Sequence, residues 1–353
     1  MDSSYCIIVL FLISPLNCHE ENITDIFDIR DDYNTPKRCV AIVLFSLLLL
    51  YGIVGNILLM AVFCNRENVY NRPFIFITLQ ITICSFLNFF TQIVIVIPGI
   101  LENKTSDSYK SVLIQRIFAS MNTFSFFGAL HFTFLLTVNR FVAICLPKYN
   151  DFFESLKFYF LLICVWFSAL GLTVAELHYC IKTFNVSNLE WSLNCTKKIP
   201  ESAPVHMAIR YVWTLGLPIA MFAMYIAIFY NIRNTRKNAL KFCKESGRTA
   251  NITPKYERLM LIQSAIVCGA FEIEIICFNF LLDIAVELAG KEAEIPVNIF
   301  INCYVIFNGA VLPTVNFIFI KRLRSSVRQR SAELLSRIKT KKRATIASAI
   351  AAA

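Results

Sequence analysis

The sequence predicts an all-α membrane protein: a bundle of seven transmembrane helices, with the N-terminus outside and the C-terminus cytoplasmic. Three observations predict it. Hydrophobic residues make up 57% of the chain and charged residues only 16%, where a soluble domain carries roughly 25% charged. The charge deficit is concentrated in long apolar stretches. Basic residues and Asn-x-Ser/Thr sequons then sort to opposite sides of those stretches.

Residues 1–18 read as a signal peptide. Tyr5 to Ile13 is apolar but too short to span, and Ser14 to Cys18 brings a proline and small polar residues. No basic residue precedes the apolar run, so an uncleaved N-tail is the alternative. Residues 19–38 form an outer tail, and 39–320 the seven-helix domain. Six stretches there contain no Asp, Glu, Lys or Arg: Cys39 to Cys64, Pro73 to Leu101, Ile117 to Asn139, Phe158 to Ala175, Tyr211 to Ile232 and Ile295 to Ile320. Each reaches or approaches the roughly 20 apolar residues needed to cross about 30 Å of hydrocarbon as a helix. Leu259 to Asp283 is interrupted by Glu272 and Glu274, but its apolar run is long and its flanks are charged. Lipid offers the backbone no hydrogen-bond partner, so a spanning segment is a helix or a barrel strand. Strict alternation is absent, which argues against barrel strands. Residues 321–353 form a basic tail in which Val327, Leu334, Leu335 and Ile338 alternate with charges, the pattern of an amphipathic helix on the inner leaflet.

Orientation follows from the excess of Lys and Arg on cytoplasmic loops. With the N-terminus outside, twenty-three of the 34 Lys and Arg fall on inner segments and nine on outer ones. Eight lie in the third inner loop, Asn231 to Arg258, and ten in the tail. Asn22, Asn103, Asn185 and Asn194 begin N-glycosylation sequons, and all four fall outside; a fifth, Asn251, falls inside. The net charge of +10 therefore belongs to the inner face. It suits anionic lipid and an acidic cytoplasmic partner, not a nucleic acid.

Most of the thirteen cysteines sit within or beside apolar helices, where they act as small hydrophobes. No His/Cys spacing suggests a metal. Cys180 and Cys195 lie on the second outer loop, in an oxidising compartment. They are expected to be disulfide-bonded, with each other as the favoured pairing because Leu101 to Ile144 contains no cysteine. Cys39 and Cys18 are the alternatives.

Several landmarks follow in order. Gly55-Asn56 in the first span combines a residue that permits close helix approach with an amide able to bond a neighbouring helix. The third span ends Asn139-Arg140-Phe141, followed by Pro147-Lys148-Tyr149. Trp166 stands in the fourth span, Pro218 in the fifth, and Pro313 in the seventh, three residues before Asn316. An arginine at an inner helix end can simply snorkel to the interface. In this order, however, the landmarks resemble those of the rhodopsin-like G-protein-coupled receptors, over roughly residues 39–330. The resemblance implies that Asn139, Arg140 and Phe141 form the G-protein-coupling motif, Arg140 restraining the resting state and then contacting the G protein.

The departures from that family are specific. Asn139 stands where an acid is usual, the second span has no acid, and the seventh reads Leu312-Pro313-Thr314-Val315-Asn316. The sixth lacks its usual proline. This pattern, with Pro98, with Cys180, Trp191 and Cys195, and with Glu257-Arg258 followed by Gln263, resembles the nematode serpentine chemoreceptors of class X. The resemblance implies a sensory receptor at the plasma membrane or sensory cilium. It would bind a small external molecule and activate a heterotrimeric G protein, with no cofactor and no covalent chemistry.

Ionisable residues within spans are costly and are functional candidates by default. Glu272, Asn279 and Asp283 are spaced by 7 and 4, which places them on one helix face; Glu274 falls on another. The resemblance places Asn122, Thr123 and Phe126 at pocket depth on the third span, so the expected ligand pocket comprises Asn122, Thr123, Phe126, Glu272 and Asn279. His131 is expected to pack. Glu176, His178, His206 and Arg210 gather at the outer ends of the fourth and fifth spans, as a polar pocket mouth or as solvated rims. Two other readings stand beside the receptor. A transporter or channel would show internal repeats and several charges along a midplane path; no repeat is evident, and the mid-membrane acids cluster in one helix. A non-signalling receptor-like scaffold is left open by Asn139.

Overall fold

The computed structural model describes residues 28–63, 72–102, 112–195, 203–246, 255–319 and 324–325. The expected signal peptide, Asn22, Asn103 and nearly all of the tail lie outside these residues. Among them are seven helices long and apolar enough to cross a membrane, so the chain is an all-α, membrane-embedded bundle. The helices are α1 (Thr35–Phe63), α2 (Arg72–Thr91), α3 (Val112–Cys145), α4 (Leu156–Tyr179), α5 (Ala203–Ser246), α6 (Lys255–Ile276) and α7 (Glu294–Phe319). A two-stranded antiparallel hairpin, β1 (Ile181–Asn185) and β2 (Glu190–Asn194), joins α4 to α5.

Long runs of Leu, Ile and Phe become helices because only helices satisfy their own backbone in hydrocarbon. Their outward faces stay apolar: Leu156, Phe160, Val212 and Ile219 are each more than two-thirds exposed. A surface of that kind is stable only when lipid covers it. The helix-to-helix contacts then rest on close packing and buried polar bonds. Phe89 of α2 is wedged between two glycines: a Cβ on Gly52 of α1 would come within 2.6 Å of its ring, and one on Gly309 of α7 within 2.8 Å. On α3, a Cβ on Gly128 would meet Cys84 Sγ at 2.7 Å.

The sequence landmarks occupy helix contacts. Asn56 Nδ2 donates to the carbonyls of Gly52 (2.8 Å) and Gly309 (2.9 Å), tying α1 to α7. Trp166 Nε1 donates to Gln80 Oε1 of α2 (2.9 Å), and its ring packs on Phe124 and Phe132 of α3. Pro218 and Pro313 lie inside α5 and α7, with Pro313 against Gly55. His131 packs as expected, accepting a hydrogen bond at Nε2 from Trp213 Nε1 (2.7 Å).

Two helices carry π turns. α2 widens at Gln92–Val96 before its last turn, Ile97–Leu101; Pro98 has no N–H and its ring crowds the carbonyl four residues back, which a wider turn relieves. α6 widens at Cys277–Leu281 before continuing through Leu282–Ala289. It stops at Gly290, whose φ of 77° is one that glycine adopts without steric cost. A further difference from expectation concerns the third loop. Its first half is a continuation of α5 to Ser246, since the Asn, Lys and Arg there are compatible with a helix.

Candidate functional site

At the hairpin end of the bundle the helices splay around a cavity of about 1140 Å³, counting its opening to solvent. α2, α3, α5, α6 and α7 wall it, and the hairpin reaches into it with Lys182 and Trp191. The hairpin is held at both ends. Cys180 and Cys195 are disulfide-bonded at its base, closing a loop whose constraint contributes on the order of 3 kcal/mol. At its tip, Leu189 is fully buried with a φ of 60°, a left-handed conformation costly for a branched side chain. α7 secures that tip: Asn302 Nδ2 donates to the carbonyl of Leu189 and Asn298 Nδ2 to that of Asn188, both at 2.8 Å. Asn188 Nδ2 donates to Glu294 Oε1 (2.7 Å). The segment before α1 crosses the same hairpin, with Ile29 N–H donating to Ser187 O (2.8 Å).

Of the residues expected in a pocket, Asn122, Thr123, Phe126 and Asn279 line this cavity, and Glu272 does not. Glu274 lines it instead, with Asn308 of α7 donating to its carboxylate. The correction has a geometric cause. The 3.6-residue period carries Glu272 and Asn279 onto one face only if α6 is uniform. The π turn at Cys277–Leu281 slips the phase between them. Asn279 joins the face of Phe271, Glu274 and Ile275, bonding back to the Ile275 carbonyl (2.7 Å), and Glu272 is left off it, half-buried. Asp283 is exposed near the helix end.

A chain of polar side chains crosses the cavity's hairpin end. Lys182 Nζ donates to Asn122 Oδ1 (2.8 Å) and Thr123 Oγ1 (3.0 Å). Thr123 in turn donates to Glu176 Oε1 (2.6 Å), and Glu176 Oε2 lies 3.2 Å from Arg210 Nε. Thus Glu176 of α4 is committed to Thr123 and Arg210. Lys182 meets no carboxylate at ion-pair distance among the described residues. Burial pushes its ammonium down to about 8, with Arg210 adding to the effect and Glu176 opposing it. Lys182 Nζ also lies 5.4 Å from the centroid of the Trp191 ring. The Trp191 indole N–H is buried without a hydrogen-bond partner. The expected cluster at the ends of α4 and α5 is therefore a Glu176–Arg210 ion pair. His178 is exposed and meets the Tyr179 ring edge to face, while the His206 side chain lies outside the described residues.

At the far end of α3, Asn139 and Arg140 are buried, and Phe141 packs partly buried against an apolar cluster drawn from α3, α4, α5 and α6. The Arg140 guanidinium lies over the Phe74 ring of α2, 4.6 Å from its centroid. Two sequons fall on the hairpin. Asn185 is exposed, and its Oδ1 accepts from the Ser187 hydroxyl (2.8 Å); Asn194 is part-buried.

Sequence alone did not single out Lys182 or Glu274 as cavity residues, and noted Trp191 only as a landmark. A lysine in a loop gives no signal until the hairpin register is known. Residues 37–338 match a family described as a protein of unknown function (DUF621). No curated protein matches the chain.

Proposed function

The chain belongs to the DUF621 family, whose description assigns no activity, and we propose that this member is a seven-transmembrane receptor, of the rhodopsin-like kind and most similar to the nematode serpentine chemoreceptors. The hairpin end faces outward and the Arg140 end the cytoplasm. A small external ligand enters the cavity under the hairpin and favours a state in which α5 and α6 part from α3 at the other end. Asn139, Arg140 and Phe141 then become available to a heterotrimeric G protein. A ligand shifts this equilibrium only through its different affinity for the two states.

The observation that carries the reading is the arrangement along α3. One continuous helix contributes Asn122, Thr123 and Phe126 to a cavity roofed by a tethered hairpin, and Asn139 and Arg140 to a buried cluster at its opposite end. Motion of α5 or α6 against α3 therefore couples the two ends. The concentration of basic residues beyond α5 and in the tail supports a cytoplasmic placement of that end.

The test is nucleotide exchange on co-expressed G proteins. Arg140→Ala, at unchanged surface expression, is expected to abolish receptor-dependent exchange. Unchanged exchange would overturn the coupling mechanism and favour the scaffold. Tags at the two termini, probed with and without permeabilisation, are expected to be reachable from opposite sides.

A further inference from the structure

The polar end of the cavity carries a charge imbalance. Lys182 and Arg210 bring two cations and Glu176 one carboxylate, which is taken up by Arg210 and Thr123. Of the other charged groups, Glu274 on the cavity wall is bonded by Asn308 of α7, and Arg116 lines a smaller adjoining pocket with Lys182 and Glu176. The Lys182 ammonium is left with neutral oxygens, those of Asn122 and Thr123. Beside it, the buried Trp191 N–H has no acceptor. A buried donor without an acceptor forfeits roughly 1–3 kcal/mol, and the Trp191 side chain that carries it lines the cavity with its ring centroid 5.4 Å from Lys182 Nζ.

We propose that this corner of the cavity is the binding subsite for the carboxylate of a small amphipathic acid, held by Lys182 Nζ and the Trp191 indole N–H, with the acid's apolar body against Phe126, Phe271 and Phe278. The identification of this as the receptor's ligand site rests on the receptor reading above. The stoichiometry of charge selects the carboxylate. One uncompensated cation and one spare N–H match a monoanion. A phosphate dianion needs a second positive charge, and Arg210 is already neutralised by Glu176. The rest of the wall is largely apolar, as a pocket for a hydrocarbon or aryl body requires. A lysine whose ammonium is disfavoured by burial becomes more strongly protonated when an anion docks beside it, so binding draws in a proton at mildly alkaline pH.

The test uses the full chain in lipid nanodiscs and three isosteric probes: 4-phenylbutyrate, 4-phenylbutanol and 4-phenylbutylamine. Affinity is read by thermal stabilisation and by tryptophan fluorescence. The carboxylate is expected to bind at least about tenfold more tightly than the alcohol, as a hydrogen bond to a charged group implies, and the amine least. Lys182→Met is expected to erase the preference for the carboxylate, and Lys182→Arg, which keeps the charge, to retain it. Raising the pH from 7 to 9 is expected to weaken the preference in the native protein but not in Lys182→Arg. Equal binding of the three probes, failure of the carboxylate to bind, or a preference that survives Lys182→Met overturns the assignment. The assay involves no G protein. A carboxylate preference without any Arg140-dependent exchange would overturn the receptor reading and leave the subsite standing. Arg140-dependent exchange without that preference would do the reverse.

Discussion

Lys182 is where local chemistry most constrains the site. Its amine is held near 8 by burial, against about 10.4 in an unfolded chain. Below pH 8 both states carry the proton, and the native state bears the full cost of a buried charge. Between about pH 8 and 10.4 the unfolded chain binds more protons than the native one, so the contribution of Lys182 to stability rises with pH. In ligand-free protein, Lys182→Met is therefore expected to be more stable than the native chain at pH 7, by roughly 1–3 kcal/mol. That advantage is expected to shrink to near zero by about pH 10.4. Thermal melts at three pH values would show it, and a difference independent of pH would refute the account. Side-chain roles of this type were only partly legible in the sequence. Asn122, Thr123 and Phe126 were legible through the resemblance, which sets their depth on the third span, whereas Asn279 reaches the cavity through the phase slip of the π turn. Glu274 lies opposite Glu272 in the uniform helix before the widened turn, and that turn brings Asn279 round to the Glu274 face. Lys182 meets Asn122 from sixty residues away, across a hairpin whose register no periodicity encodes.

At the scale of elements, hydrocarbon composition made the spans readable, since a lipid-facing helix must be apolar whatever its neighbours. The hairpin was invisible for the opposite reason. Its ten strand residues carry only a weak alternation, and its stability comes from partners elsewhere: the Cys180–Cys195 bond, the α7 asparagines and the pre-α1 segment. The extension of α5 was missed because polar sequence between two spans is compatible with either loop or helix. Packing between helices turns on small residues, and the Gly52–Phe89–Gly309 contact is the sharpest case. Phe89 is only 1% exposed, so its ring has little room to yield to a new Cβ at 2.6–2.8 Å. Gly309→Val is expected to destabilise the bundle by about 1–3 kcal/mol, the usual cost of overpacking a filled core. The double variant Gly309→Val with Phe89→Leu is expected to recover part of that loss. Additive losses in detergent melts would show that the two residues are not in conflict.

For the whole molecule, the receptor proposal raises the question of what would hold its resting state when the acid usual before the α3 arginine is an asparagine. The contact of Arg140 with Phe74 is a candidate restraint. Arg140 is 8% exposed and lies 4.6 Å from the centroid of the Phe74 ring, which itself belongs to the cluster of Leu135, Leu136 and Phe153 at that end of the bundle. A desolvated cation over an aromatic face is stabilised by about 2 kcal/mol, less where water reaches it. Because G-protein engagement in the proposed mechanism frees Arg140 from this position, the contact stabilises the resting state selectively. Removing it shifts the two-state equilibrium by the same free energy. Phe74→Leu keeps an apolar side chain of comparable bulk and removes only the ring face. It is expected to raise ligand-independent nucleotide exchange by about 3- to 30-fold if the resting state predominates, with Arg140→Ala silencing that gain in the double variant. The measurement is basal exchange at matched surface expression. Basal exchange in Phe74→Leu equal to or below the native level would show that the ring does not restrain Arg140.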